Sequence, residues 1–208
     1  MSDLCQFDLC DGSGFRVDAA TNTAYDCRCR AQRVSRAKAR NLSAVIPRRY
    51  RDVAFERAPV TDINSAIVQT VRRYVDTIDD QLDAGRGLWF MGHVGTGKTT
   101  LAMLVSKAAS DAGRSVAIYS LPRLLNEIRD THRAERSHVD LLDRLTAVDL
   151  LHIDDVGAER TTDWVLEELY SIVNSRYEDK RSIVITTNIL DREALCEQIA
   201  ARTVSRLT

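Results

Sequence analysis

From about residue 62 onward, short apolar runs alternate with stretches whose apolar residues recur every three or four positions. Ile63, Ile67, Val71, Tyr74, Val75 and Ile78 keep the helical period and stop before Gly85 and Gly87, so the spacing predicts a helix there. Runs of strand length follow at Leu88 to Met91, Val116 to Tyr119, Val148 to Ile153 and Ile183 to Thr187. Between them, Thr100 to Ala112 reads as a helix. Leu124, Leu125 and Ile128, then Leu141, Leu142 and Leu145, read as two more, and Trp164, Val165, Leu166 and Leu169 as the buried face of another. Strands alternating with crossover helices predict an α/β fold built on a parallel sheet. The chain reaches Thr208 inside a basic helical segment with no closing strand, so the sheet is expected to be incomplete at its C-terminal side, as in a truncated chain.

Upstream of this pattern the periodicity is lost. Residues 1 to about 30 are rich in cysteine and turns, with Asp11-Gly12-Ser13-Gly14 at the centre, and are too few to bury a core unaided. Residues 31 to 60 open as a basic helix candidate, Ala31 to Asn41, and become irregular at Pro47 and Pro59. Three stretches are therefore expected: a Cys-rich segment (1–30), a basic linker able to fold against its neighbours (31–60) and an α/β domain (61–208).

With 208 residues, 44% of them hydrophobic and 28% charged, the chain has room for one substantial domain and a small appendage, and is neither disordered nor fibrous. A net charge of -1 gives no global signature for nucleic acid or membrane. The charge is local instead: Arg28, Arg30, Arg33, Arg36, Lys38, Arg40, Arg48, Arg49 and Arg51 lie in a run without one acidic residue. That run either contacts DNA phosphates or an acidic protein surface, or is a solvated helix face. No apolar run is long enough to span a membrane, and Asp3 and Asp8 stand where a signal peptide needs a basic start, so a cytoplasmic location is expected.

The strongest chemical signal is Gly92-His93-Val94-Gly95-Thr96-Gly97-Lys98-Thr99, followed by Thr100. It fits G-x-x-x-x-G-K-T and lies after a strand and before a helix, where such a loop must lie. Its glycines let backbone N–H groups wrap a β-phosphate at a helix N-terminus. Lys98 is expected at the β and γ phosphates of ATP, and Thr99 at Mg2+. A second element, Leu150-Leu151-His152-Ile153-Asp154-Asp155, is an apolar strand ending in two carboxylates. Alone such a pair is as often a solvated strand end; beside the loop it reads as Asp154 for Mg2+ and Asp155 for orienting or deprotonating water. Asn188, after Thr186-Thr187, is either a turn former or a positioner of that water.

These motifs, with the closing Arg202-Thr203-Val204-Ser205-Arg206-Leu207, occur in the order and spacing of an AAA+ ATPase. Ile46 to Phe55, Asp149 to Gly157 and Leu169 to Tyr177 resemble the bacterial replicative helicase loaders, DnaC and DnaI, and their transposition relative IstB, over about residues 45–208. The resemblance implies Walker A and B roles for Lys98, Thr99, Asp154 and Asp155, sensor 1 for Asn188, and an arginine finger for Arg206, with Arg202 on the same face. It implies a homo-oligomer with ATP between subunits, a replicative helicase hexamer and single-stranded DNA as partners, and DNA contacts on an extra helical element carrying Arg123, Arg129, His132, Arg133 and Arg136. Most AAA+ enzymes have Glu where Asp155 stands, which implies slow hydrolysis suited to a switch.

Cys5, Cys10, Cys27 and Cys29 can supply four thiolates to one structural zinc, although the first pair is spaced more widely than a knuckle prefers; three-Cys binding or free thiols stay open. The resembling loaders dock this region on the helicase. Cys196 reads as a half-buried helix thiol, and His152 as packing. The function expected is an ATP-dependent helicase loader. An IstB-like transposition helper, a small-metabolite kinase and a non-catalytic nucleotide-binding adaptor are the rivals.

Overall fold

The structure, a computed structural model, describes residues 5, 7–19, 21–30, 46–132, 135–157 and 162–207. The helix candidate Ala31 to Asn41 lies outside the described residues. Near the start, β1 (Phe15–Asp18) and β2 (Thr23–Asp26) pair as an antiparallel hairpin. Every residue of both strands is exposed, and what is buried beside them is Cys5, Cys27 and Cys29 with half-buried Cys10.

Residues 46–62 hold two short 3-10 turns, Arg48–Tyr50 and Val60–Asp62. Tyr50 and Val60 are buried in the main core, so this part of the expected linker is packed into the domain. The helix expected from Ile63 to Ile78 is two helices, α1 (Ser65–Asp76) and α2 (Ile78–Asp83), separated at Thr77, whose N–H bends back onto Tyr74 and Val75 carbonyls. Asn64 starts α1 by accepting from the Ala66 N–H at 3.0 Å. Ile67, expected on the buried stripe, is 49% exposed because it borders the cleft described below.

The chain continues through β3 (Leu88–Met91), α3 (Lys98–Asp111), β4 (Val116–Ser120), α4 (Leu121–His132), α5 (Glu135–Ala147), β5 (Leu150–Val156), α6 (Asp163–Glu178), β6 (Ser182–Thr187), α7 (Arg192–Ile199) and α8 (Ala201–Leu207). The four later strands are all parallel in the order β3-β6-β5-β4. Alternate residues divide the core into two layers. Val116, Ile118, Leu150, Val184, Leu88 and Phe90 face α1 to α3, while Ala117, Tyr119, Leu151, Ile153, Ile185 and Trp89 face α4 to α8. Helix α3 is buried along most of its length, from Thr100 to Ser106, which is why its sequence is apolar nearly all round.

At the end of the sheet where β5 and β6 begin, Arg176 of α6 is fully buried. Its two terminal nitrogens donate to the carbonyls of Leu145, Thr146, Val148, Asp149 and Ser182 at 2.6 to 3.3 Å. Those bonds tie the start of both central strands to the helix that joins them. The site stands at the opposite end.

Candidate functional site

The loop Gly92 to Gly97 leaves the C-terminal end of β3 and runs into α3 at Lys98. Gly97 caps α3 with φ +85, a conformation that favours glycine, and a Cβ there would have to displace the end of the Ile63 side chain. Thr96 Oγ1 and Lys98 Nζ donate to the His93 carbonyl at 2.9 and 2.7 Å, closing the loop on itself. Burial pulls the Lys98 ammonium below its ordinary value, opposed by the charges of Asp155 and Asp154. Ile63 and Asn64, with Arg49, Tyr50 and Pro59, complete a cleft of about 940 Å3 whose floor is Gly95 to Thr100.

The carboxylates enter this cleft through an irregularity in β5. Ile153 pairs with Ile185 and Val156 with Thr187, so three steps on β5 span two on β6. The extra residue is a bulge, and Asp155 within it takes φ +60, a conformation that Asp tolerates better than longer side chains. Successive strand residues normally face opposite sides; here Asp154 and Asp155 both line the cleft. The two acids thus lie inside the strand rather than after it, where the end of the apolar run puts them.

Each acid is held by named donors. Asp154 Oδ1 accepts from Thr99 Oγ1 at 3.0 Å and from Thr186 Oγ1 at 2.6 Å. Burial works to raise the Asp154 carboxyl, yet the groups facing it, His152, Thr186 and Thr99, hold it below the usual carboxylate range. Thr186 Oγ1 also accepts the Asp155 N–H at 2.9 Å, and Asn188 Nδ2 donates to Asp155 Oδ1 at 2.8 Å. The structure therefore gathers Gly95, Thr96, Gly97, Lys98, Thr99, Thr100, Asp154, Asp155 and Asn188 in one cleft, with Val94 at its 84% exposed lip.

Arg202 and Arg206 are not among the residues lining that cleft. They sit on α8 against α6, Arg202 stacked on Tyr170 at 4.4 Å and Arg206 on Tyr177 at 4.7 Å, with Arg206 Nε donating to Asn174 at 3.0 Å. Arg123 lies over the Tyr119 ring and Arg129 donates to Asn126. Arg133 and the side chains of His132 and Arg136 lie outside the described residues.

The cysteine cluster is a separate site. Sγ of Cys5 is 3.7 Å from that of Cys27, Sγ of Cys10 is 3.5 Å from that of Cys29, and all four lie within 4.8 Å of one another. Tetrahedral zinc with bonds of about 2.3 Å sets sulfurs about 3.8 Å apart, so the four thiols fit that ion.

Sequence reasoning passes over two participants. Thr186 reads as strand and is the hydroxyl that bridges both acids. His152 reads as packing, and it is indeed fully buried, yet its ring bonds Ser106 of α3 at 2.9 Å and faces Asp154. A polar residue in an otherwise apolar strand, two positions before the first acid, is the signal that could have found it.

A family model described as IstB-like ATP binding protein matches residues 25–193. The replicative helicase loader DnaC of Buchnera aphidicola subsp. Schizaphis graminum is 25% identical over 161 residues, covering 76% of this chain and 64% of that protein. DnaC of Escherichia coli strain K12 is 29% identical over 137 residues, covering 65% of this chain and 54% of that protein. The chain thus spans roughly half to two thirds of the length of these curated relatives. Among solved structures, the crystal structure of the DnaC helicase loader superposes with a TM-score of 0.68 at 26% identity, covering 77% of this chain and 94% of that one. The fold is that of the AAA+ group of P-loop proteins.

Proposed function

This chain belongs to the IstB-like ATP-binding family, and from that premise we propose that it is an ATP-dependent loader of a replicative DNA helicase. The observation that carries the proposal is the convergence in one cleft of the phosphate-loop lysine, the Thr99–Asp154 pair at 3.0 Å and the Asp155–Asn188 pair at 2.8 Å. The likeness to curated helicase loaders supplies the partner.

In this reading Lys98 and the N–H groups of Gly95 to Thr100 bind the ATP phosphates, and Thr99 and Asp154 hold Mg2+, which neutralises phosphate charge. Asp155 orients water for attack, and Asn188 fixes its carboxylate. The shorter side chain of Asp155 on its bulged backbone makes turnover slow, so hydrolysis serves as a release switch. Arg202 and Arg206, remote from this chain's cleft, act on the cleft of a neighbouring copy, which makes the active form a homo-oligomer. Single-stranded DNA binds the same assembly through Arg123, Arg129 and the neighbouring basic residues of α4 and α5.

Cys5, Cys10, Cys27 and Cys29 hold a structural Zn2+, which supplies a fold to a segment too small to form one by burial. That segment exposes Phe7, Leu9, Phe15, Val17 and Tyr25, an apolar surface suited to a protein partner. We propose that it docks on the helicase. The family description favours a second reading, an ATPase helper of DNA transposition, but Cys5 and Cys10 lie ahead of the residues the family model matches.

Size exclusion with light scattering, mixing the chain with the cognate helicase with and without MgATP, tests the two. A complex that forms with helicase and is altered by Arg206→Ala is expected. No complex with helicase, and one with a transposase, would transfer the chain to the second reading.

A further inference from the structure

His152 stands midway along β5, between Ile118 of β4 and Val184 of β6, on the sheet face covered by α3. The ring is fully buried among apolar side chains, where an aliphatic residue would fill the space without desolvating two nitrogens. One nitrogen has a partner: Nδ1 lies 2.9 Å from Ser106 Oγ. The other, Nε2, has no hydrogen-bond partner among the described residues and lies 3.9 Å from Asp154 Oδ1.

The surroundings decide which nitrogen carries the proton. A lone pair on Nε2 would face a carboxylate oxygen across a dry interior and be repelled. An N–H there is attracted instead, and the ring then accepts the Ser106 hydroxyl proton at Nδ1. Asp154 thus sets the tautomer, and the Ser106 hydroxyl, able to donate or to accept, answers it by donating to Nδ1. The same oxygen accepts hydrogen bonds from the cleft-lining Thr99 and Thr186 at 3.0 and 2.6 Å, and the buried His152 Nε2 is the third polar group near it.

We infer that His152 is a positioning residue for metal binding: with Ser106 behind it, its Nε2–H anchors Asp154 Oδ1 from the core, so that Oδ2 is presented to Mg2+. This rests on the cleft being the MgATP site. Groups that orient a metal-ligating carboxylate from behind are worth about 10- to 100-fold in metal affinity. The 3.9 Å separation is longer than a hydrogen bond, which places the effect at the lower end of that range, about tenfold.

Two measurements test it. Nitrogen-15 NMR of the imidazole rings in the wild-type protein reads the tautomer without any mutation; the proton on Nε2 of His152 is expected, and a proton on Nδ1 alone would overturn the inference. Mg2+ titration of ATP turnover then separates positioning from packing. His152→Leu, which keeps the apolar volume, is expected to raise the Mg2+ concentration for half-maximal rate about tenfold while metal-free ATP binding stays at the wild-type value. His152→Gln, whose amide nitrogen reaches the Nε2 position, is expected to recover most of the loss. Equal Mg2+ dependence in wild type and folded His152→Leu, or no recovery in folded His152→Gln, would sink the inference and leave the cleft assignment intact. A wild-type protein that binds no MgATP would remove both.

Discussion

Asn188 donates its side-chain N–H to Asp155 Oδ1 at 2.8 Å, from the end of β6 to a bulge in β5. Both residues line the cleft, and the bond fixes the acid of the pair whose backbone is in the left-handed region. Asp155 is therefore held twice by the end of β6: its N–H is tied to Thr186 and its carboxylate to Asn188. If Asp155 is the water-activating base proposed above, it should tolerate loss of charge structurally but not chemically. Asp155→Asn is expected to keep MgATP affinity and lose turnover by about 100-fold or more. Asn188→Ala is expected to lower kcat with little change in ATP affinity, because it frees the carboxylate without removing it. Isothermal titration paired with phosphate release separates the two quantities, and a loss of binding in Asp155→Asn would contradict the assignment.

Thr186 gives a prediction in pH. Its hydroxyl donates to Asp154 at 2.6 Å, among the contacts that hold the carboxyl below its ordinary value against the opposing effect of burial. A depressed carboxylate contributes its stabilisation above the ordinary carboxylate range and loses it only as pH falls below that range. Asp154 should accordingly stay ionised and able to take Mg2+ to a lower pH in the wild type than in a protein that lacks one of these donors. In Thr186→Val the donor is gone while burial remains, so the Asp154 pKa rises and metal dependence fails at higher pH. Identical pH profiles for the two proteins would show that the hydroxyl does not tune the acid.

Much of this site is legible in the order of residues along the chain, and the limits of that legibility have physical causes. The phosphate loop is legible because a nine-residue stretch must meet its ligand with its own backbone, which ties sequence directly to chemistry. The four parallel strands are legible because strands buried on both faces leave continuous apolar runs. The bulge at Asp154 and Asp155 is not, since an extra residue on one strand shows only against its partner, and β6 lies about thirty positions downstream. The break between α1 and α2 at Thr77 hides in an unbroken helical period for the same reason: the period reports which side is apolar, not whether the axis continues. Tyr50 and Val60 lie in a stretch whose prolines and arginines read as a linker, and only the packing of residues 46–60 against α3 reveals them as core.

Gly97 offers a test of how tightly the loop is built. Its φ of +85 disfavours any side chain, and the Ile63 methyl occupies the place of a Cβ. Gly97→Ala should cost about 1 to 2 kcal/mol from the backbone alone, with further loss from the overlap, and should abolish ATP binding. Adding Ile63→Ala relieves the overlap and leaves the backbone term, so the double variant should regain part of the stability and little of the binding. Chemical denaturation of the four proteins in a double-mutant cycle measures the coupling. Strict additivity would mean that Ile63 does not confine the loop.

Arg176 predicts a stability loss far from the chemistry. Its terminal nitrogens satisfy five carbonyls at the end of α5 and the start of β5 and β6, and its burial is complete. Arg176→Met keeps the stem and removes every donor, stranding those carbonyls away from water. A loss of about 3 to 5 kcal/mol is expected in urea unfolding, with MgATP affinity near wild type at low denaturant because the cleft lies at the other end of the strands. A variant as stable as the wild type would show that water replaces the guanidinium there.

The cysteine cluster yields a prediction in metal content and pH together. Burial works to raise the Cys5 thiol, yet backbone N–H groups of Leu9, Phe7 and Cys10 pull it down to about 6, while burial and the surrounding sulfurs push Cys29 up to about 12. Four sulfurs within 4.8 Å cannot all ionise without a cation among them, and zinc binding must expel the remaining protons. Elemental analysis should find one zinc per chain, retained at neutral pH and released as pH falls through the acid range. Cys27→Ser should lose the metal and the helicase complex while keeping MgATP binding, because the phosphate loop belongs to the sheet and not to the β1–β2 segment. Wild-type protein made with ample zinc but carrying none would remove the ion from the reading, and zinc retained by Cys27→Ser would remove Cys27 from its ligands.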